Sequence, residues 1–108
     1  MRDYRDYLRD MHDSMTDVES FTEGMTFTEF SKDKKTIYAV VRCIEVIGEA
    51  AKKVPKSARD KYPAIPWKVM AAMRNKMIHE YFGVNVGTVW QTIQARLPAL
   101  KQQLLALI

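Results

Sequence analysis

Apolar residues recur at steps of three and four along most of this chain, and that spacing constrains the fold more than any other feature of the sequence. Such spacing places the apolar side chains on one face of a helix, so each of these segments predicts an amphipathic helix with one buried side. No segment shows the regular alternation of apolar and polar residues that is typical of a half-buried strand. The sequence therefore predicts an all-α protein.

The spacing divides the chain into four main helices plus short helical pieces. The apolar face of the first comprises Tyr4, Leu8, Met11, Met15 and Val18. The face of the second comprises Ile37, Val40, Val41, Ile44, Ile47, Gly48 and Ala51. The face of the last comprises Val86, Val89, Trp90, Ile93, Leu97, Leu100, Leu104 and Leu107. We expect these helices to form an antiparallel bundle in one domain spanning residues 1–108.

Residues that favour helix ends predict the boundaries. Ends or breaks are expected at Gly24, Pro55, Gly83 and Pro98. Helix starts are expected at Thr26, Pro66 and Asn85. Thr26 and Glu29 should form a capping box, and Pro66 should be the first residue of its helix. A single helical turn is expected over residues 57–61. Gly48 lies inside the second helix, where glycine costs about 1 kcal/mol relative to alanine. We therefore expect another backbone to approach Gly48 closely.

The charge is distributed unevenly. Residues 1–33 contain nine acids and four bases, a net charge of −5, whereas residues 34–108 contain four acids and thirteen bases, a net charge of +9. A basic surface of this kind favours a polyanionic partner such as nucleic acid, although an ordinary solvated face has the same composition. Charge alone does not choose between the two.

Cysteine usage and hydropathy exclude several classes of protein. Cys43 is the single cysteine and lies among apolar residues, so it provides neither a disulfide framework nor a zinc site. No apolar run approaches the roughly 20 residues that a membrane-spanning helix needs. The first residues lack the apolar region of a signal peptide. We therefore expect a cytoplasmic protein.

The third main helix carries an arginine in its apolar stripe, which comprises Trp67, Met70, Arg74, Met77, Ile78 and Tyr81. Because a charged group is rarely buried without a partner, Arg74 must reach a carboxylate, water or a ligand anion. Glu49, next to Gly48 on the second helix, is the first candidate for that carboxylate, and Glu45 is the second. An arginine in such a stripe can also simply extend its charged end to solvent.

His79 follows Arg74 by five residues, which places it roughly 140° away around the same helix. Asn75 is four residues before His79 and could orient the imidazole. An ideal helix thus does not bring Arg74 and His79 together at one ligand. Either the helix loosens near His79, or a second copy of the chain supplies the residue that completes the site. We favour the second copy. His79 could instead only stabilise the C-terminal end of the helix through its dipole, and Tyr81 could only pack in the core. His12 and His79 are the only histidines, so no metal site is expected.

The stretch "RNKMIHEY" matches the RxxxxHxY pattern of HEPN-domain ribonuclease toxins, and the chain resembles the HepT toxin family in particular. The segments "AVVRCIEVIGEAAKKVP", "PAIPWKVMAAMRNKMIHEYFGVN" and "TVWQTIQARLPAL" are similar to the family in the family's order, so the resemblance covers nearly the whole chain. Asn75 matches the asparagine that commonly follows the motif arginine. The motif itself shows no departure from the family.

The resemblance implies a HEPN-type homodimer with a cleft at the dimer interface. It implies a metal-independent RNA endonuclease of a type VII toxin–antitoxin system that needs no cofactor, with Arg74 and His79 catalytic. From their positions on the helices, we expect Asn75 and Glu49 to support these two residues. It also implies a nucleotidyltransferase antitoxin of the MNT type, which transfers AMP to Tyr81. The substrate could be transfer RNA or messenger RNA.

Two other functions are compatible with the sequence. A non-catalytic HEPN module would bind a nucleotide or a nucleotidyltransferase partner through the same cleft, but the retained Arg74 and His79 favour the enzyme. A plain interaction bundle could recruit a partner helix through its seven methionines. Most of these methionines fall in the apolar stripes, so filling of the core explains them more simply.

Overall fold

The structure, a computed structural model, describes residues 3–82 and 85–108, with only the backbone described for residues 76–82. This part of the chain forms α1 (Tyr4–Thr22), α2 (Phe27–Lys32), α3 (Lys34–Lys53), α4 (Lys56–Lys61), α5 (Trp67–Phe82), α6 (Val86–Ala95) and α7 (Leu97–Leu105). These residues contain no strand, so the all-α prediction is confirmed. None of the helices described is long and apolar enough to span a bilayer.

Helix α3 is central to the packing, because it contacts α1, α2 and α5. Further contacts join α1 to α7, α2 to α6, α5 to α6 and α6 to α7. The predicted apolar faces are buried in this core, as shown by Leu8, Met11, Met15 and Val18 of α1 and by Ile37, Val40, Ile44 and Ile47 of α3. Met70 and Met73 of α5 are buried as well, so the methionines with described side chains mainly fill the core.

The last predicted helix divides into two. Its apolar face is buried at Val89, Ile93, Leu97, Leu100 and Leu104, but α6 ends at Ala95 and α7 begins at Leu97. Pro98 is the second residue of α7 and has no N–H to donate to the preceding helix. The break predicted at Pro98 is therefore confirmed.

Side-chain caps fix several helix ends. Thr26 and Glu29 form the predicted capping box, with Glu29 N donating to Thr26 Oγ1 at 3.2 Å and Thr26 N donating to Glu29 Oε1 at 3.0 Å. The hydrogen bonds with Thr26 favour the ionised carboxylate and lower the pKa of Glu29. Asn85 caps α6, as predicted, by accepting from Thr88 N at 3.0 Å. Gly24 follows α1 with φ of 75°, a conformation that glycine adopts without steric cost.

Some boundaries differ from the sequence-based expectation. Pro66 precedes α5 instead of being its first residue, and its carbonyl oxygen accepts from Met70 N at 3.0 Å. The short turn expected to begin at Ser57 begins at Lys56. Cys43 is partly exposed because it lies at the edge of the apolar face of α3. The predicted helix end at Gly83 lies outside the described residues.

Helices α3 and α5 approach each other closely at Gly48. A methyl group on Gly48 would lie 2.5 Å from Cβ of Arg74 and 3.3 Å from both the Arg74 nitrogen and the Met70 carbonyl oxygen. The Cβ of Arg74 and the α5 backbone beside it therefore occupy the space that any larger residue would need. The predicted approach of another backbone is confirmed, and it explains a glycine inside a 20-residue helix.

Substitution of Gly48→Ala is expected to destabilise the protein, because the added methyl group must push α3 and α5 apart. Overpacking of this kind costs about 1–3 kcal/mol, which exceeds the gain in helix propensity at most sites. Gly87→Ala is the matched control, because a methyl group there would meet just one side-chain atom of the described residues, Asn85 Oδ1 at 3.5 Å. We expect the control to be neutral or stabilising by up to about 1 kcal/mol. Urea denaturation measures both, and equal stabilities of the two variants would contradict the prediction.

Candidate active site

Arg74 stands at the point where α5 crosses Gly48. The two buried methionines, Met70 and Met73, precede it on α5, and its own side chain is 32% exposed. The close approach to Gly48 fixes the Cα–Cβ bond of Arg74 against α3. The Arg74 side chain therefore starts from a Cβ atom that is held in place, and it reaches Glu49 of α3 while staying partly exposed.

Glu49 meets Arg74 across this crossing. Its Oε1 lies 3.4 Å from Arg74 Nε, and its side chain is 39% exposed. Glu49 directly follows Gly48, so the same helix contact that excludes a side chain at position 48 brings the carboxylate to the arginine. Of the two carboxylates considered as partners from the sequence, the structure places Glu49 beside Arg74.

Arg42 completes a cluster that sequence reasoning missed. Its Nη1 lies 3.8 Å from Glu49 Oε1 and 3.5 Å from Glu45 Oε2. Glu49 therefore lies between two guanidinium groups, while Glu45 contacts Arg42. The spacing in the sequence could have predicted this cluster. Arg42 precedes Glu45 by three residues and Glu49 by seven, so all three lie on one face of α3.

The guanidinium of Arg74 retains unused hydrogen-bonding capacity. Its Nε is buried and makes no hydrogen bond to any described residue, because the contact with Glu49 lacks hydrogen-bond geometry. A guanidinium carries five N–H donors in a planar fork, which matches the oxygens of a phosphate. A partly exposed arginine of this kind is able to bind an anionic ligand.

Asn75, His79 and Tyr81 follow Arg74 on α5. Asn75 is exposed, and the side chains of His79 and Tyr81 lie outside the described residues. The backbone is α-helical through Phe82, so the helix does not loosen at His79. At 100° per residue, the backbone positions of Arg74 and His79 lie about 140° apart around α5, while those of Asn75 and His79 lie on one side of the helix.

Cys43 and His12 are two further described residues whose side chains could take part in chemistry. Burial raises the pKa of the Cys43 thiol, which keeps it in the less reactive protonated form. His12 lies on α1 with its Nδ1 3.7 Å from Asp13 Oδ1. Within the described part of the chain, no three His, Cys, Asp or Glu side chains are grouped to hold a metal ion.

The comparisons with known proteins identify a ribonuclease family. The family model described as "Ribonuclease HepT-like" matches residues 11–107, a span that includes Arg42, Glu49, Arg74, His79 and Tyr81. No solved structure matches the chain.

Several relatives are similar over nearly the whole chain. A protein of Methanocaldococcus jannaschii named "Putative RNase" is 50% identical over 102 residues, which are 94% of this chain and 84% of the relative. A protein of Thermococcus cleftensis named "Probable ribonuclease HepT" is 45% identical over 100 residues, 93% of this chain and 91% of the relative. A "Putative RNase" of Caldanaerobacter subterraneus is 42% identical over 103 residues, 95% of this chain and 92% of the relative.

The family match agrees with the resemblance found in the motif and with the all-α architecture. Together with relatives at 42–50% identity, it covers both helices of the α3–α5 crossing. The chain belongs to the HepT-like ribonuclease family.

Proposed function

We propose that this protein is a metal-independent RNA endonuclease, the toxin of a type VII toxin–antitoxin system, with Arg74 and His79 as catalytic residues. One observation carries the proposal: Arg74 is fixed at the α3–α5 crossing beside Glu49, partly exposed, with a buried Nε that makes no hydrogen bond to a described residue. An arginine so placed suits a phosphodiester. Membership of a ribonuclease family and the names of the relatives support RNA as the substrate.

The chemistry follows from the two residue types. RNA supplies its own nucleophile, the ribose 2′-OH, whose oxygen attacks the phosphorus while its proton passes to a base. The bond from phosphorus to the 5′-oxygen breaks, and that oxygen takes a proton from an acid. Histidine suits both proton transfers near neutral pH, and Arg74 stabilises the negative charge on the phosphate oxygens. The expected products carry a 2′,3′-cyclic phosphate and a 5′-hydroxyl.

A homodimer supplies the geometry that one chain lacks. Because α5 is helical through Phe82, Arg74 and His79 of one chain project about 140° apart. A two-fold axis beside α5 would bring Arg74 of one protomer to His79 of its partner. We therefore place the active site in a cleft between two copies.

Regulation through Tyr81 fits this site. Tyr81 is two residues beyond His79 on α5 and seven beyond Arg74. Transfer of AMP to its hydroxyl by a nucleotidyltransferase of the MNT type would add bulk and negative charge where RNA phosphate binds. This modification would inactivate the ribonuclease by blocking and repelling its substrate.

The first test is RNA cleavage in EDTA by the wild type, Arg74→Ala and His79→Ala. We expect the wild type to release cyclic-phosphate ends and each variant to lose about 10²–10⁴-fold in rate. Arg9→Ala, an exposed substitution on α1, should cleave like the wild type. Circular dichroism establishes that all four proteins are folded. A folded, unmodified wild type that does not cleave would instead support the non-catalytic nucleotide- or partner-binding module.

The composite cleft is tested by mixing Arg74→Ala with His79→Ala protein under conditions of subunit exchange. In a heterodimer with sites built across the interface, one of the two sites combines an intact arginine with an intact histidine. We expect the mixture to regain about a quarter of wild-type activity, since about half the dimers are mixed. No recovery, with exchange verified by mass spectrometry, would mean that both residues act from one chain.

Glu49→Gln tests the positioning of Arg74. Loss of the carboxylate should leave the guanidinium less ordered and lower kcat about tenfold, equivalent to about 1.4 kcal/mol of transition-state stabilisation. The free energy of unfolding should change by less than about 1 kcal/mol, because both side chains of the ion pair are partly solvated. Glu45→Gln is the matched control, because among the described residues its ion pair is with Arg42 and not with Arg74. Equal losses of kcat in the two variants would argue against the role of Glu49.

A further inference from the structure

A groove with a basic rim lies between α4 and the first turn of α5. Its volume is about 630 Å³, and it is lined by Lys56, Arg59, Asp60, Pro63, Ile65, Pro66, Trp67, Lys68 and Val69. Its buried apolar members, Ile65 and Trp67, form its floor. Trp67 is only 8% exposed, and its Nε1 donates to the Tyr62 carbonyl oxygen at 3.1 Å, so the indole ring is held in place.

The charges of the groove are unbalanced. Lys56 pairs with Asp60 at 2.8 Å, which neutralises one cation. Arg59 and Lys68 form no ion pair with a carboxylate of the described residues, and Arg59 Nε is buried without a hydrogen bond to any of them. Two cations thus remain available beside an apolar floor, an arrangement that suits a phosphate joined to a ribose or a base.

The groove is aligned with the exposed side of α5. Lys68, Ala72 and Asn75 are all exposed and lie four and then three residues apart, so they form one stripe along the helix. His79 continues the same stripe by position, eleven residues after Lys68, or about 16 Å along the axis. A strand bound at Lys68 and running along α5 would therefore reach the position of His79.

We infer that this groove binds the backbone of single-stranded RNA a few nucleotides from the cleaved bond. The inference rests on the proposed function, because it assigns a substrate subsite to the same enzyme. Arg59 and Lys68 bind phosphate, and the floor around Trp67 packs against the adjoining ribose or base. The complementary charge favours RNA over an apolar partner helix, and the alignment with His79 connects the groove to the site of cleavage.

The test compares Arg59→Gln/Lys68→Gln with the wild type on two substrates, a dinucleotide and an oligonucleotide of about ten nucleotides. For the long substrate we expect KM to rise about three- to tenfold, with kcat unchanged. The slope of log KM against log salt should become shallower by about 0.7 for each lost phosphate contact. Cleavage of the dinucleotide should be unchanged, because it is too short to reach the groove.

Lys35→Gln is the matched control, because it removes an exposed charge at the opposite end of α3 from α4. A double variant whose KM and salt dependence equal those of Lys35→Gln would overturn the inference, as would equal losses on both substrates. Lys68→Gln alone, at an exposed position, should show a smaller effect of the same kind even if Arg59→Gln disrupts α4. If the wild type cleaves neither substrate, the proposed function is contradicted instead. RNA binding by His79→Ala protein, with and without the double substitution, would then show separately whether the groove binds RNA.

Discussion

The contact between Gly48 of α3 and the backbone of α5 is the constraint on which the rest of the candidate site depends. Glycine inside a helix costs about 1 kcal/mol, and here the cost is offset by the packing of two long helices at close range. A methyl group at position 48 would lie 2.5 Å from Cβ of Arg74. The packing that holds the bundle together thus also fixes the origin of the arginine side chain and places Glu49 within its reach.

This geometry determines how the arginine can act. Arg42, Glu45, Glu49 and Arg74 contain two positive and two negative groups, so the cluster is neutral before an anion arrives. Glu49 contacts Arg74 at Nε, one of the five N–H donors of the guanidinium. Glu49 also contacts Arg42, so its single negative charge is shared between two guanidinium groups.

Much of this fold could be predicted because periodicity and capping act locally. The faces of α1 and α3, the capping box at Thr26 and the break before Pro98 all follow from neighbouring residues. Glu49 could be predicted as the partner of Arg74 for two reasons. The charge of Arg74 on α5 requires a carboxylate, and Gly48 requires a helix packed closely against α3, where Glu49 is the next residue. The α4–α5 groove could not be predicted, because its lining combines α4, the first turn of α5 and the loop with two prolines between them, and only tertiary packing sets how these three segments meet.

The two sides of α5 differ in what they can contribute to catalysis. One side faces α3 and carries Arg74, whereas Lys68, Ala72 and Asn75 are exposed on another, which His79 joins by position. With the continuous helix separating these sides, a strand of RNA bound along the exposed stripe of the proposed enzyme would meet His79 of the same chain and would need Arg74 of another. In the proposed dimer, each protomer therefore holds the substrate on which its partner's arginine acts. Substrate binding and dimerisation are then linked, and a protomer that folds alone retains the groove but loses the catalytic pair.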